Sequence, residues 1–244
     1  MKKLSLIISC LLISCQGVSD QGVSAPSTDL QLQTQLPDIQ SIDLPENPEA
    51  RKMTETYLGI MDRKMALAAE IGRIETRDQY VREVFIDMFS DPDLDPEVRA
   101  QFQEAGGKYV EAIDKINTME FKNVMAGMTW RELAEDESRL ASRAFHIVQH
   151  TSDFEFQEAT LAEIKPLAEE GLMDGQLYAL MYDRVNLRKD GGKQLYGTQL
   201  NCINGQQDVF DLMDPETVDE RRKTFGMTPL KTYLDQSREF YGPC

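Results

Sequence analysis

The residues that could carry chemistry are few and lie in the second half of the chain. The sequence has only two histidines, His146 and His150, and their spacing of four places both on one face of a helix. Two histidines and a carboxylate could bind zinc, but the spacing offers no third ligand, so no metal site is predicted. The same face carries Ser142 and Arg143. This composition is typical of a solvated polar surface or of one side of a polar pocket.

Three arginines lie where apolar residues are expected. Arg184, which follows Asp183, falls inside the apolar stripe of a predicted helix, and Arg221 and Arg222 repeat this pattern further on. A buried guanidinium needs an acceptor, because an unpaired buried charge costs about 3–5 kcal/mol. These arginines either pair internally with acids such as Asp183 or Asp219, or line a pocket for an anionic ligand.

Hydrogen-bonding side chains crowd into residues 191–200, which read GGKQLYGTQL. In a strand, Gln194, Tyr196 and Thr198 would point to one side and Gln199 to the other. The polar face could satisfy helix ends and buried arginines. It could also form one wall of a polar pocket. The opposite wall would then hold three side chains: His150, Asp183 and Arg184.

These residues allow three functions. A binding domain would use a polar pocket lined by Gln149, Gln194, Thr198, Gln199, Arg221 and Arg222. A hydrolase would use His150 as a general base oriented by Asp183, with Arg184 or Tyr196 stabilising an oxyanion. A structural protein would use the same residues only for stability. The sequence has no nucleophile elbow, phosphate-binding loop or dinucleotide fingerprint, so no cofactor is predicted and binding is favoured over catalysis.

The elements that must position these residues are mostly helical. Apolar spacing predicts a mainly α domain, residues 47–244, with seven or eight helices. Asn204-Gly205 is a strong turn signal and predicts one small β-hairpin near residues 194–212. Predicted helices cover 53–74, 78–88, 95–118, 133–150, 153–171, 175–188, 215–225 and 229–240. Asp95, Ser152 and Asp174 are predicted to be N-caps, and Gly226 is predicted to end its helix. Pro166 is predicted to kink or break its helix, and Gly106-Gly107 to weaken the helix that runs from 95 to 118 or beyond.

The N-terminal residues predict a targeting signal and are not expected to be part of the folded domain. Lys2 and Lys3 precede a short apolar stretch that ends in Leu12-Ile13-Ser14-Cys15, which resembles the lipobox of bacterial lipoproteins. The resemblance implies a signal peptide over residues 1–14, a lipidated, palmitate-bearing Cys15 and anchoring to a membrane. Residues 15–46 are polar and predict a flexible tether. We therefore expect an envelope protein, at the outer membrane and facing the periplasm.

The cysteines left in the mature chain predict a disulfide. Cys202 and Cys244 remain after lipidation, and in an oxidising compartment a disulfide between them is the simplest prediction, with two unpaired thiols as the alternative.

The net charge is −16, and removal of residues 1–14 with their two lysines makes it −18. This charge argues against nucleic acid as a partner. A protein or a small molecule stays open.

Five short motifs in order resemble one bacterial family of unknown function. They are Gln149-His150, Asp183-Arg184, Gln194 to Gln199, Asp219 to Arg222, and Gly226 to Leu230. The likeness covers roughly residues 75–234, with weaker matches at Arg77-Asp78-Gln79 and Trp130. Thr129 and Arg131 stand where members often have glycine and proline. The resemblance implies a mainly helical fold and brings no established activity or catalytic residues.

Overall fold

The computed structural model describes residues 43–89 and 93–242. The predicted signal peptide, Cys15 and most of the tether lie outside these residues, as does Cys244. The disulfide between Cys202 and Cys244 therefore stays a prediction. The chain divides into two units, one that ends at Ala69 and one that begins at Glu70.

The predicted mainly α fold with one small hairpin is confirmed. The described residues form eight α-helices and a two-stranded antiparallel sheet. The helices are α1 (Pro48–Phe89), α2 (Pro96–Val124), α3 (Trp130–Asp136), α4 (Ser138–His150), α5 (Phe154–Glu169), α6 (Gly175–Leu187), α7 (Val218–Thr224) and α8 (Leu230–Tyr241). The strands are β1 (Leu200–Ile203) and β2 (Gln206–Val209), and a 3-10 turn, Pro215–Thr217, precedes α7.

The first unit contributes the beginning of α1. The Asn47 side chain accepts hydrogen bonds from the N–H groups of Glu49 and Ala50, at 3.0 and 3.1 Å, and so caps this helix. None of residues 43–69 is buried. The two helical stretches predicted before residue 89 are therefore one continuous helix, most of whose first half is open to solvent.

In the second unit, the last turns of α1 pack against α2. Asp95 caps α2 as predicted, since its Oδ1 accepts hydrogen bonds from Glu97 and Val98 at 2.8 and 3.2 Å. The helix continues through Gly106-Gly107 to Val124, where a softer segment was expected. A Cβ on Gly106 would lie 2.6 Å from the Phe85 ring. This glycine therefore allows close approach of the two helices.

Two predicted helix boundaries are wrong. The stretch 133–150 holds the end of α3 and the whole of α4, because Glu137, with φ and ψ of −151° and 82°, is not helical and interrupts it. Asp153 caps α5, with its side chain accepting from Phe156 N–H at 3.0 Å, where Ser152 was predicted. Thr129 and Glu132 form a capping box that begins α3.

Other predicted helix ends are confirmed. Asp174 accepts a hydrogen bond from the N–H of Gln176 at 2.9 Å and begins α6. Gly226 ends α7 with a φ of 66°, a conformation that favours glycine. A kink or a break was predicted at Pro166; the break does not occur, since Pro166 lies inside α5, which continues to Glu169.

The core of the second unit lies among α3, α4, α5 and α6, with α2 packed on α4. Its largest fully buried apolar side chains are Phe121, Phe145, Ile71, Ile74, Leu133, Ile147, Ile164, Leu167 and Met181. These positions follow the helical apolar spacing of the sequence.

The hairpin is centred as predicted but is shorter. Asn204 and Gly205 have φ values of 53° and 79° and connect β1 to β2, with Leu200 opposite Val209. Residues 194–199 are not a strand, which corrects the predicted extent. They form a loop held by side-chain hydrogen bonds, and Gly197 within it has a φ of 65°.

Candidate functional site

Asp183 organises the loop of residues 194–199. Its side chain is completely buried on α6. Oδ1 accepts hydrogen bonds from the N–H groups of Leu195 and Tyr196, at 2.6 and 3.1 Å. Oδ2 accepts from the N–H and the hydroxyl of Thr198, both at 2.9 Å. Burial raises the pKa of the Asp183 carboxyl, and the hydrogen bonds from the loop oppose this shift.

The two glutamines of the loop close it from inside. The Gln194 amide donates to the carbonyls of Gln199 and Phe210, at 2.9 and 2.8 Å, and accepts from Gln199 N–H at 2.8 Å. The Gln199 amide donates to the Thr198 hydroxyl at 3.1 Å. The amide of Gln194 therefore binds the backbone on both sides of the loop.

Arg221 and Arg222 complete the same arrangement from α7. The Arg222 side chain, only 1% exposed, donates to the carbonyls of Tyr196 and Thr228 at 2.6 and 2.7 Å. Arg221 donates to the carbonyl of Leu195, also at 2.6 Å. Burial lowers the pKa of Arg222.

The arginines are therefore paired internally, but their acceptors are carbonyls and, for Arg221, also the Thr217 hydroxyl, where acids such as Asp183 or Asp219 were expected. The Asp219 carboxylate instead accepts from the N–H of Leu230 at 2.7 Å. We call Asp183, Gln194, Tyr196, Thr198 and Arg222 the Asp183 clasp. All five of its side chains are buried. Most of the predicted pocket residues thus lie in a closed part of the fold.

Tyr196 is an aromatic core residue. Its ring meets those of Tyr178, Tyr182 and Phe225 edge-on at centroid distances of 6.3, 5.7 and 5.7 Å. Burial raises the pKa of its hydroxyl. A role for this hydroxyl in stabilising an oxyanion has no geometric support.

His150 belongs to a second, separate polar group. Its Nδ1 lies 2.8 Å from Oδ2 of Asp78 on α1, so the carboxylate that orients the ring is Asp78 and not, as predicted, Asp183. Arg82 lies 3.3 Å from Asp78 and also binds both oxygens of Asp114, at 2.7 and 2.8 Å. Arg184 donates to a carbonyl at the end of α4. We call these five residues the His150 cluster.

Gln149 connects the remaining predicted residues to this cluster. Its carbonyl accepts the hydrogen bond from Arg184 at 2.9 Å, and its side-chain nitrogen lies 3.3 Å from Nε2 of His150. Of the predicted site residues, Gln149, His150 and Arg184 therefore meet around α4. The remaining seven, including Asp183, belong to the clasp region.

The electrostatics of the cluster keep His150 neutral. Burial lowers the pKa of His150 to about 4, although the hydrogen bond to Asp78 opposes the shift. With Nδ1 facing a carboxylate, the ring proton lies on Nδ1 and Nε2 accepts from the Gln149 amide. The buried imidazole is thus a weak base at neutral pH, and its one lone pair already has a donor.

His146 repeats the arrangement one turn earlier. Its Nδ1 lies 3.4 Å from Glu75, which also accepts from Arg143 at 2.9 Å. Burial raises the pKa of Glu75, but the hydrogen bonds from His146 and Arg143 outweigh it and hold that pKa below its usual value. The histidine face of α4, expected to be solvated or to line a pocket, is thus covered by carboxylates of α1. The described residues contain no group of three ligands suited to a metal ion.

Stability should depend on pH through His150. Its folded pKa lies below the ordinary 6.5, so the unfolded chain binds the extra proton first as the pH falls. The stabilisation is complete above about pH 6.5 and is lost progressively toward pH 4. Between pH 7.5 and 5, wild type should lose about 2 kcal/mol relative to His150→Asn. Asparagine keeps a donor to Asp78 but does not titrate.

Urea unfolding of both proteins at several pH values measures this difference. Other carboxylates titrate in both proteins, so only the gap between them reports on His150. A gap that stays constant across the range would contradict the buried neutral imidazole.

The helical hairpin of α1 and α2 carries an exposed apolar face, which the sequence reading missed. Tyr80, Val84 and Met88 of α1 line one groove of about 410 Å³ with Phe102 and Tyr109 of α2. Tyr80, Met88 and Tyr109 are 66%, 55% and 62% exposed. Only Arg77 among the lining residues is charged. We call this surface the hairpin face.

Further exposed apolar residues lie on α2 outside the groove. Val98, Ile116 and Met119 are 52%, 40% and 60% exposed. The signal for these residues is present in the sequence. Their helical spacing is visible there. However, a mainly helical chain has many apolar stripes, and only the packing of the helices decides which of them is buried.

Within residues 43–89 and 93–242, no helix is both long enough and apolar enough to cross a membrane. No curated protein and no solved structure matches the chain. A family model, described as a family of unknown function (DUF6624), matches residues 86–243. That range holds α2 to α8 and, with them, the whole Asp183 clasp. The chain therefore belongs to the DUF6624 family of unknown function.

Proposed function

We propose that the protein is a lipid-anchored interaction domain of the bacterial cell envelope, which binds a partner protein through the hairpin face. The observation that carries the proposal is the continuous apolar groove between α1 and α2, flanked by exposed tyrosines and methionines. Single exposed apolar residues are ordinary, but a contiguous set of this kind marks interaction surfaces. Aromatic and methionine side chains are also enriched in the binding sites of partner proteins.

The N-terminal sequence supports the anchor. Charge, a short apolar stretch and Leu12-Ile13-Ser14-Cys15 coincide, and residues 16–46 are polar enough to act as a tether. Lipidation at Cys15 would hold the domain at the outer membrane, facing the periplasm, without a spanning helix.

The burial of the polar residues in the Asp183 clasp also supports this proposal. The Asp183 clasp binds backbone groups of its own loop, so it stabilises the domain and leaves binding to another surface. A hydrolase built on His150 is less well supported. Its pKa of about 4 makes the ring a weak base, and its partner is Asp78.

Photo-crosslinking in cells tests the binding role. Benzoylphenylalanine is placed at position 109 or 80, on the hairpin face, and at position 231 of α8 as a control. The Lys231 side chain is 85% exposed, so the control position is at least as accessible as positions 109 and 80. We expect a specific protein adduct from positions 109 and 80 only. No adduct from these positions, or equal adducts from all three, would overturn the proposal.

Metabolic labelling with palmitate tests the anchor separately. We expect label on the wild-type protein and none on Cys15→Ser, which should also leave the membrane fraction. Label that persists in Cys15→Ser would place the lipid elsewhere and refute this part of the proposal.

A further inference from the structure

The exposed side of α2 has the spacing of a helix–helix seam. Seven residues alternate in steps of four and three: Val98, Phe102, Ala105, Tyr109, Ala112, Ile116 and Met119. All are exposed except Phe102, which is half-buried. Steps of four and three keep a row of side chains facing one partner helix over several turns. The row covers three heptads of α2 and is not used by the core.

Large and small residues alternate along the middle of this seam, from Phe102 to Ile116. Ala105 lies between Phe102 and Tyr109, and Ala112 lies between Tyr109 and Ile116, so each alanine leaves a depression between two large side chains. Side chains of a second helix insert into such depressions. A lipid surface requires an apolar face, but it requires neither a heptad register nor alternating sizes. The seam therefore favours a helix as its occupant.

Two lysines set the charge along one edge of the seam. Lys108 and Lys115 directly precede Tyr109 and Ile116, seven residues apart, and their side chains are 71% and 64% exposed. Positions next to a seam choose partners by charge. Their carboxylate partners, Glu104 and Glu111, lie four residues earlier and further from the seam. Exposed pairs of this type contribute only about 0.3–0.5 kcal/mol, so they are easily exchanged.

The same lysines disfavour a second copy of the chain. In an antiparallel pair of two seams, equivalent edges face each other, and the lysine rows would repel. A helix with glutamates along its edges would instead meet Lys108 and Lys115 with opposite charge. We infer that the α2 seam binds an acidic amphipathic helix of a partner protein. This inference rests on the proposed function and specifies the partner's chemistry.

Two synthetic peptides test the inference. Both are 21-residue helices in about three heptads with the same apolar seam, one with glutamates and one with lysines at the edges. Binding to the full mature chain is followed by fluorescence anisotropy. We expect the acidic peptide to bind at least about tenfold more tightly, a preference of about 1.4 kcal/mol. The net charge of −18 on the mature chain acts against this order, so the preference would come from the lysine edge.

Charge reversal provides the matched control. Lys108→Glu with Lys115→Glu should weaken the acidic peptide about tenfold and strengthen the lysine peptide. Lys165→Glu should change neither, since Lys165 lies on α5 in a comparable exposed pair and is itself 56% exposed. Ala105→Gln should fill a depression and weaken both peptides. Circular dichroism checks that each variant is folded.

The outcomes separate this inference from the proposed function. Tighter binding of the lysine peptide, equal binding of both, or no binding overturns the acidic-helix inference. So does self-association that Ala105→Gln abolishes, because the occupant is then a second copy. If position 109 still gives a partner adduct in cells, the proposed function stands without it. If that adduct is absent while the peptide preference holds, the proposed function falls.

Discussion

Replacing Asp183 with alanine is expected to lower the free energy of unfolding by about 3–5 kcal/mol. The buried carboxylate accepts hydrogen bonds from three backbone N–H groups and one hydroxyl, of Leu195, Tyr196 and Thr198. Alanine leaves these donors in a dry interior, and each unsatisfied group costs about 1–3 kcal/mol before the loop relaxes. Urea unfolding followed by circular dichroism measures the loss.

The control is Asp235→Asn on α8. Asp235 is 53% exposed and forms an exposed pair with Lys231 four residues away, so its change should cost less than about 0.5 kcal/mol. Asp183→Asn should fall near the alanine variant, because its NH₂ group would face N–H donors. A loss below about 1 kcal/mol for Asp183→Ala would mean that the loop is held by other contacts.

The sequence predicts the elements of this fold better than it predicts the partners of its polar residues. Apolar spacing and local caps such as Asp95 and Asp174 act over a few residues, so they can be read directly. Asn204-Gly205 is similar, because a tight turn needs two left-handed residues in sequence. The break at Glu137 was missed because no side-chain cap marks the start of α4 there. The start of α3 was missed because the capping box of Thr129 and Glu132 was not recognised.

Alternation failed as a guide at residues 194–199. Gln194, Tyr196 and Thr198 are buried as their period of two suggested, but the segment wraps around Asp183 and does not pleat. A buried carboxylate can accept the hydrogen bonds of backbone N–H groups as well as the carbonyls of a neighbouring strand would. The pattern of buried residues was thus informative, and the inferred cause was wrong.

Long-range pairing explains the error at His150. Asp78 lies 72 residues before it and is placed beside it by the packing of α1 on α4, which spacing alone does not reveal. A signal exists in retrospect, since Asp78 interrupts the apolar row of Ile74 and Val81. A charge in such a row requires a partner, and a histidine on another helix is one candidate.

Replacing Arg222 with methionine should cost about 3 kcal/mol of unfolding free energy. Methionine retains most of the aliphatic stem, so the change removes mainly the donors. The carbonyls of Tyr196 and Thr228 would lose their partner in the interior, and the contact of the guanidinium with the Tyr233 ring, at 4.9 Å, would be lost too. Arg238→Met is the control, because that side chain is 33% exposed and can be replaced by water.

The double variant of Asp183 and Arg222 tests whether the clasp acts as one unit. Asp183 binds the N–H side of residues 195–198, and Arg222 binds the carbonyls of Tyr196 and Gly197 in the same loop. Once either residue is gone, the loop can move and hydrate the groups that the other one satisfied. The double change should therefore cost about 1–3 kcal/mol less than the sum of the single changes. Strict additivity would mean that the two residues stabilise the domain independently, through a loop that stays fixed without them.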